Sequence, residues 1–428
     1  MSNDQEARTR LAIVVGGGPA PGINGVIAAA TGEALRQGLE VFGIEEGFKR
    51  LAKGDASRVR PLTWEEVERA RGRGGSILYT SRENPTTSDE KMQNVLKALR
   101  EHGIGYLVTI GGDDTALSAC KIWERSQGAI RVAHVPKTID NDLPLPKGIP
   151  TFGFQTARQV GARLVANLVE DARTTRRWYV VVAMGRSAGH LALGMGAAAG
   201  ADLTLIPEEF LQSGINLELL CEILEGAMFK GRMLGRDYGV AVLAEGLGEL
   251  LKEELKDHPI VVIGHDDFGS LRLADVPLAL ILRRRLQARA KDRGKELGLV
   301  DLTIGYELRC ADPIAFDAQY TEQLGWGAVR YLLGTAPGSV SCEGALISIQ
   351  AGELKPIPFA EIMDTKTGKT AVRRVALDSA EYQAARSAMV RLAPADLEDA
   401  DTLKRLSQAA GIAPADFRVK YSRAAAAG

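Results

Sequence analysis

Short runs of aliphatic and β-branched residues recur along the chain at 11–15, 41–44, 106–110, 131–135, 178–184, 240–244, 260–264 and 345–349. In these runs apolar residues occupy neighbouring positions and so both faces, which predicts strands covered on both sides. Between these runs the apolar positions return at helical spacing. After Gln155, residues Ala157, Val160, Leu164, Val165 and Leu168 share one face, while Leu96, Leu99 and Ile104 predict a helix entering the strand at 106–110. Strand, loop, helix and strand in repetition predict an α/β protein with largely parallel sheets. Such sheets bind ligands at the loops leaving the carboxyl ends of their strands, so chemistry is sought there. No internal repeat interrupts the pattern, and the closing stretch 424–428, four alanines and a glycine, reads as a frayed tail.

Composition narrows the classes. The 428 residues suffice for two or three domains. Lys and Arg number 53 against 54 Asp and Glu, a formal charge of −1, so no global basic field is present to hold nucleic acid or an acidic membrane. An anionic ligand must be gripped locally. The polar start, 1–10, and the absence of eighteen consecutive apolar residues predict a soluble, non-secreted protein. Cys120, Cys221, Cys310 and Cys342 form no CxxC, and His102, His134, His190, His258 and His265 form no HExxH. Neither a disulfide framework nor a zinc or His-based centre is expected, and a reducing cytoplasm fits. Glycine alone stands out: 47 residues, roughly 17 more than average usage would supply. Aromatics at 5% exclude a base-stacking platform.

The glycines gather where strands end. The first strand runs into Gly16-Gly17-Gly18-Pro19-Ala20-Pro21-Gly22-Ile23-Asn24. Bare backbone lets amides approach an anion, and the helix that follows adds partial positive charge. The loop lacks the Lys-Ser/Thr of a Walker A motif and the spacing of GxGxxG, and a plain strand-to-helix turn would also account for it. Gly111-Gly112-Asp113-Asp114-Thr115 ends the third strand. Its carboxylates suit a hard cation shared with phosphate, or a helix cap, for which Asp114 is the better placed. Pro136-Lys137-Thr138-Ile139-Asp140-Asn141-Asp142 follows another strand. A carboxylate there can take a hydroxyl proton during phosphoryl transfer while Lys137 neutralises charge. Met184-Gly185-Arg186 again closes a strand, with Arg176 and Arg177 before it; Glu245 follows the strand at 240–244, and Tyr306 stands three residues from Arg309. Guanidinium forks suit phosphate, although single arginines and tyrosines are more often structural.

In this order the loops resemble the phosphofructokinase family. The resemblance covers about residues 10–320 and rests on Gly17-Gly18 with Ala20 to Asn24, Gly74-Gly75-Ser76 with Ser81-Arg82, Gly111-Gly112-Asp113, Thr138 to Asp142, Met184-Gly185-Arg186, Glu245, and Tyr306 with Arg309. It implies two Rossmann-like three-layer α/β/α lobes with mostly parallel sheets and an active site in the cleft between them. The implied reaction is phosphorylation of fructose 6-phosphate at its 1-hydroxyl, to fructose 1,6-bisphosphate, in glycolysis or gluconeogenesis. By the same resemblance Asp140 is the general base, Asp113 helps hold Mg2+, and Gly17, Gly18, Arg82 and Gly112 meet the phosphoryl donor. Thr138, Ile139, Asp142, Met184, Gly185, Arg186 and Glu245 hold the sugar, and Tyr306, Arg309 and Arg177 take the 6-phosphate. Arginines like Arg177 are lent across a subunit interface in this family, which implies a homodimer or homotetramer. The implied domains are a donor lobe at 1–150, a fructose 6-phosphate lobe at 151–340 with the chain crossing back near 308–360, and a C-terminal extension at 341–428.

Two positions bear on the donor. Members using pyrophosphate carry Asp and Lys where this chain has Asp114 and Lys137, whereas common bacterial ATP enzymes carry Gly at both. A carboxylate about 4 Å from an ATP α-phosphate costs on the order of 4 kcal/mol at an effective dielectric of 20. Pyrophosphate has no such group, so Asp114 excludes nucleotide without penalty, and pyrophosphate is the expected donor with Asp140, Lys137 and Asp114 in the reaction. An ATP enzyme is disfavoured by Asp114. A non-catalytic sugar-phosphate-binding subunit is disfavoured by the intact Asp140 and Asp113. Pro19 departs from the family pattern, standing where bacterial ATP enzymes often have Asp.

Overall fold

A computed structural model of the chain describes residues 9–256, 258–261, 276–336, 344–362 and 371–427. The polypeptide divides into two compact units, Met1–Ala157 with Tyr306–Arg373, and Arg158–Gly305 with Arg374–Gly428. The first passage lays down β1 (Arg10–Val15), α1 (Ile23–Arg36), β2 (Glu40–Ile44), β3 (Val59–Pro61), α2 (Trp64–Ala70), α3 (Asp89–Glu101), β4 (Ile104–Gly111), α4 (Asp113–Ser126), β5 (Arg131–Thr138) and β6 (Phe152–Gly153). The unit boundary falls within the next helix, α5 (Phe154–Thr175). The second unit then holds β7 (Trp178–Ala183), α6 (His190–Ala199), β8 (Leu203–Leu205), α7 (Leu217–Met233), β9 (Gly239–Ala244), the short α8 (Leu247–Leu250) and α9 (Lys252–Leu255), α10 (Leu278–Asp292) and β10 (Leu299–Ile304). Returning to the first unit, the chain forms α11 (Ala315–Leu332), β11 (Ala345–Leu346), β12 (Ile349–Gln350), β13 (Glu353–Leu354), β14 (Ile357–Pro358) and α12 (Phe359–Ile362). It ends in the second with α13 (Ala380–Ala388), α14 (Pro394–Glu398), α15 (Ala400–Ala410) and α16 (Pro414–Ala426).

The first unit is built on a sheet ordered β14-β11-β5-β4-β1-β2-β3, with β6 paired to the end of β5. The central strands are parallel, and antiparallel β3 and β14 close the two edges. Successive side chains of a strand point to opposite faces. Leu11, Ile13 and Val15 therefore meet Ile23, Val26 and Ile27 of α1 and Leu324 and Ala328 of α11. Ala12 and Val14 face the other way, onto Met92, Val95 and Leu99 of α3 and Ala116 and Ala119 of α4. Two covered faces explain why these strands carry apolar residues at neighbouring positions. The second unit has an all-parallel sheet ordered β10-β7-β9-β8. There Trp178, Val180 and Val182 pack with Leu220, Ile223 and Leu224 of α7 and Ile281 and Leu282 of α10.

Three expectations differ from the structure. Ile104 belongs to β4 rather than to the helix before it, because that helix stops at Glu101 and Gly103 makes the turn in the left-handed region, at φ 65°. The run at 345–349 is not one strand. Ile347 still donates to the His134 carbonyl (2.8 Å), but the Ser348 carbonyl accepts from Lys355, which draws the chain out of the sheet into the β12–β13 hairpin. The alanine tail is helical through Ala426, with Ala424 and Ala425 buried, because their methyl groups pack into the core beside α7 and α15. Most of the strand read at 260–264, together with His265 and Cys342, lies outside the described residues. Strand β10 escaped the pattern because, at the sheet edge, only its two ends are buried.

Candidate active site

Strands β1, β4 and β5 are adjacent and parallel, so the loops at their carboxyl ends converge. The Gly16 amide donates to the Ile110 carbonyl (2.9 Å), and the Gly17 amide to the Ser81 carbonyl (2.8 Å), which brings the Ser81-Arg82 segment to the first loop. Thr115 fills the space between the first two loops. A Cβ at Gly16 or at Gly111 would come within 2.3 Å of its side chain, so both positions need glycine for close approach. Asn24, in the first turn of α1, donates to the Arg73 carbonyl (3.1 Å) and accepts from the Ile77 amide (2.9 Å), fixing the 73–77 loop.

Gly112 caps α4 without a side-chain bond, and Asp113 and Asp114 occupy its first turn. The capping role considered for Asp114 is thus taken by glycine backbone, which leaves the carboxylates on the positive end of the helix. Lys137 reaches the first loop, where its ammonium donates to the Gly18 carbonyl; a Cβ at Gly17 would lie 3.2 Å from Nζ. Burial pushes the Lys137 pKa down to about 7; repulsion from Arg309 and Arg82 adds to this, while Asp140 and Asp113 pull it up. Arg309 rests against Gly18, donates to the Pro19 carbonyl (3.4 Å) and lies 5.4 Å from the Tyr306 ring centroid. Its pKa is lowered by burial and by Arg82. Three cations converging on two acids form a site charged for phosphate.

The base candidate, Asp140, is buried at the end of β5, and its amide donates to Thr138 Oγ1 (3.0 Å). Thr151 ties the loop back, with Oγ1 donating to the Thr138 carbonyl (2.8 Å) and its amide to Asn141 Oδ1 (3.0 Å). Asn141 sits in the left-handed region, at φ 59°. Ile139 is a core side chain, so only its backbone can meet a ligand. Buried Asp317, on α11, accepts from the amides of Gly153 (2.9 Å) and Thr156 (2.7 Å) and from Thr156 Oγ1 (2.5 Å). It thereby holds β6 against Lys137 and Thr138 and caps α5 from outside the helix.

The second unit gathers a separate set at the end of β7. Glu245 accepts from the amides of Gly185 (3.0 Å) and Arg186 (2.7 Å), which fixes Arg186 in the left-handed region at φ 52°. Glu208 accepts from the amides of Gly189 and Val375, each at 3.0 Å, and Arg374 donates to the Ser187 carbonyl (2.9 Å). Met184 follows β7, with its amide on the Ile304 carbonyl (2.9 Å). Arg177 precedes β7, so a strand of about 20 Å separates it from Met184-Gly185-Arg186, and the fold does not bring it to them.

Motif order, parallel sheets and the loop constellation agree with a match to the family model described as Phosphofructokinase over residues 10–332. The chain belongs to the phosphofructokinase family. It is 53% identical over 413 residues, 96% of this chain and 98% of the relative, to the pyrophosphate–fructose 6-phosphate 1-phosphotransferase of Thermotoga maritima. The protein of that name from Naegleria fowleri is 45% identical, covering 95% of this chain and 94% of its own. The fold resembles the crystal structure of a pyrophosphate-dependent phosphofructokinase from Marinobacter aquaeolei, with TM-score 0.65, 18% identity, and 89% and 90% of the two chains covered.

Within this family member, the first unit holds Gly17, Gly18, Arg82, Gly112, Asp113, Asp114, Lys137 to Asp142, Tyr306 and Arg309; the second holds Arg177, Met184, Gly185, Arg186 and Glu245. Sequence reasoning quoted Thr115 and Asn24 without giving them a role, and missed Thr151, Glu208, Asp317 and Arg373. Thr115 and Asn24 stood beside the recognised glycines. The others act on loops far away in the chain and left no local signal.

Proposed function

We propose that this chain transfers a phosphoryl group from pyrophosphate to the 1-hydroxyl of fructose 6-phosphate, reversibly, giving fructose 1,6-bisphosphate and orthophosphate. The observation that supports it most directly is the buried Lys137 ammonium at the Gly17-Gly18 loop, in the same site as Asp113 and Asp140. In the forward direction the Asp140 carboxylate takes the proton of the 1-hydroxyl as its oxygen bonds to phosphorus. The bond from that phosphorus to the bridging oxygen breaks, and orthophosphate leaves with the bond's electrons. Lys137 and Arg82 neutralise the charge shared between the two phosphates. Asp114, beside Asp113 in the first turn of α4, is assigned the exclusion of a nucleotide α-phosphate.

Mg2+ prefers oxygen ligands and commonly takes one or two carboxylates with phosphate completing its shell. The donor set at the start of α4 is of that kind, so Asp113 is assigned to hold a magnesium ion that screens phosphate charge. Tyr306 and Arg309 are assigned to the 6-phosphate, and Thr138, Asp142, Met184, Gly185, Arg186 and Glu245 to the sugar. The first unit is read as the donor lobe, to which the returning chain, Tyr306–Arg373, adds Tyr306 and Arg309, and the second as the sugar-phosphate lobe. Arg177, at the opposite end of β7 from Met184, is read as serving a second copy of the chain in a homodimer or homotetramer. No helix among the described residues is long and apolar enough to cross a membrane; a cytoplasmic enzyme of glycolysis or gluconeogenesis is proposed.

Initial rates with fructose 6-phosphate and either pyrophosphate or ATP test the reading, and a clear preference for ATP refutes it. Replacing both Asp114 and Lys137 with glycine is expected to depress pyrophosphate use and admit ATP weakly. A double variant as active with pyrophosphate as its parent contradicts the roles given to these residues.

A further inference from the structure

The loop from Asp140 to Thr151 has no regular secondary structure, so its carbonyls need donors from elsewhere. One side chain supplies several of them. Arg373 donates from Nε to the Asn141 carbonyl (3.0 Å), from Nη1 to the carbonyls of Ile149 (2.6 Å) and Leu145 (3.5 Å), and from Nη2 to Asn141 Oδ1. Its backbone amide donates to the Asp142 carbonyl (2.7 Å). Val372 and Arg374 on either side are exposed, so the segment turns this one side chain inward. The contacts span 224 to 232 residues of sequence.

We propose that Arg373 is a positioning residue for the phosphoryl-transfer step, clamping the 141–149 loop so that Asp140 is held in its reactive place. Three features single out the clamp. Its target, Asn141, directly follows Asp140 and occupies the left-handed region, which is uncommon for non-glycine residues and which asparagine adopts more readily than most. The same Asn141 Oδ1 also accepts from the Thr151 amide, and Thr151 reaches Thr138, so the clamp, Asn141 and the Asp140 turn form one hydrogen-bonded unit. The planar five-donor fork of arginine reaches acceptors spread wider apart than the three donors on a lysine's single nitrogen can. The proposal rests on the reading of Asp140 as the base.

Arg373→Ala and Arg373→Lys, made in the full chain, test it. A reacting group displaced by about 1 Å loses roughly 100-fold in rate. The alanine variant is therefore expected to lose about that factor in kcat, and the lysine variant about tenfold, with both KM values within about threefold of the parent. Added guanidinium ion is expected to restore part of the activity of Arg373→Ala and none of that of Arg373→Lys. By hydrogen exchange, the amides of Asp140 and Thr151 are expected to open at least tenfold more readily in Arg373→Ala. A parent-like kcat per folded molecule, with only a lowered melting temperature, overturns the proposal. If Arg373→Ala does not fold, a parent-like kcat in Arg373→Lys overturns it equally. If the parent itself fails to use fructose 6-phosphate, the functional reading falls, and the exchange measurement still decides the clamp: faster opening supports it, and unchanged exchange refutes it.

Discussion

Replacing Gly18 with alanine adds one methyl group that falls on Arg309. Gly18 does not occupy the left-handed region, so alanine fits its backbone without strain. The new Cβ would, however, lie 1.7 Å from Arg309 Nη2 and 2.8 Å from Cζ. Carbon needs about 3.5 Å, so the guanidinium must retreat by roughly 1.8 Å. Its bond to the Pro19 carbonyl, already long at 3.4 Å, is lost on the way. The obstacle is the mobile end of a side chain rather than backbone, so the fold is expected to survive. A displaced arginine loses a charge-assisted hydrogen bond worth about 1.5–3 kcal/mol, or roughly 10- to 150-fold in affinity for the phosphate it holds. Steady-state kinetics with each substrate varied in turn locate the loss. If Arg309 holds the 6-phosphate, the KM for fructose 6-phosphate rises by that factor and by more than the KM for pyrophosphate, whose binding loop also contains Gly18. A rise confined to pyrophosphate would move Arg309 to the donor side. A variant with both KM values unchanged would refute the contact and the role together.

Three further outcomes are expected. Lys137, whose pKa burial lowers to about 7, is charged below that pH and neutral above it in the empty site; because pyrophosphate calls for the ammonium, its Kd should rise up to about tenfold per pH unit above 7. Lys137→Met should flatten that slope by about one logarithmic unit, and parallel slopes in titration calorimetry would exclude the linkage. Asp317→Ala strands three donors at the start of α5 and should cost about 2–4 kcal/mol in urea unfolding, with Asp317→Asn recovering part; a parent-like midpoint would contradict the cap. Arg391 and Glu209 form an ion pair in which both side chains are almost wholly inaccessible. Arg391→Met should cost about 3–5 kcal/mol by leaving the buried carboxylate without its ion-pair partner, and the double change to Arg391→Met with Glu209→Met should recover most of it; equal losses in both would refute the account.

Much of the site was legible because its chemistry is local in sequence. A glycine that admits a phosphate, a carboxylate at a strand end and a lysine three residues before a base sit in contiguous loops. The residues that hold those loops were not legible, because their partners are remote. Glu245 lies 59 and 60 residues from the amides it accepts, Asp317 about 160 from the helix it caps, and Arg373 more than 220 from the loop it clamps. Glu245 was expected to face the sugar, and its first visible partners are the backbone amides of the Gly185-Arg186 turn. The frayed tail expected from four alanines was misread for a related reason. A methyl group contributes little by itself and becomes a core contact only when another helix lies against it.

The sequence by itself determined the central strands, since burial on two faces favours apolar runs, and it determined the loops where chemistry belongs, since parallel strands deliver their carboxyl ends to one edge. It also determined the family, through motifs whose order is independent of folding detail. Tertiary structure alone decided which units those loops fall in, the depression of the Lys137 pKa, the closeness of Arg309 to Gly18 and the identity of the residues that lock the turns. Those properties depend on distance and burial. Both are set by where segments far apart in the chain come to rest, which residue type and spacing do not encode.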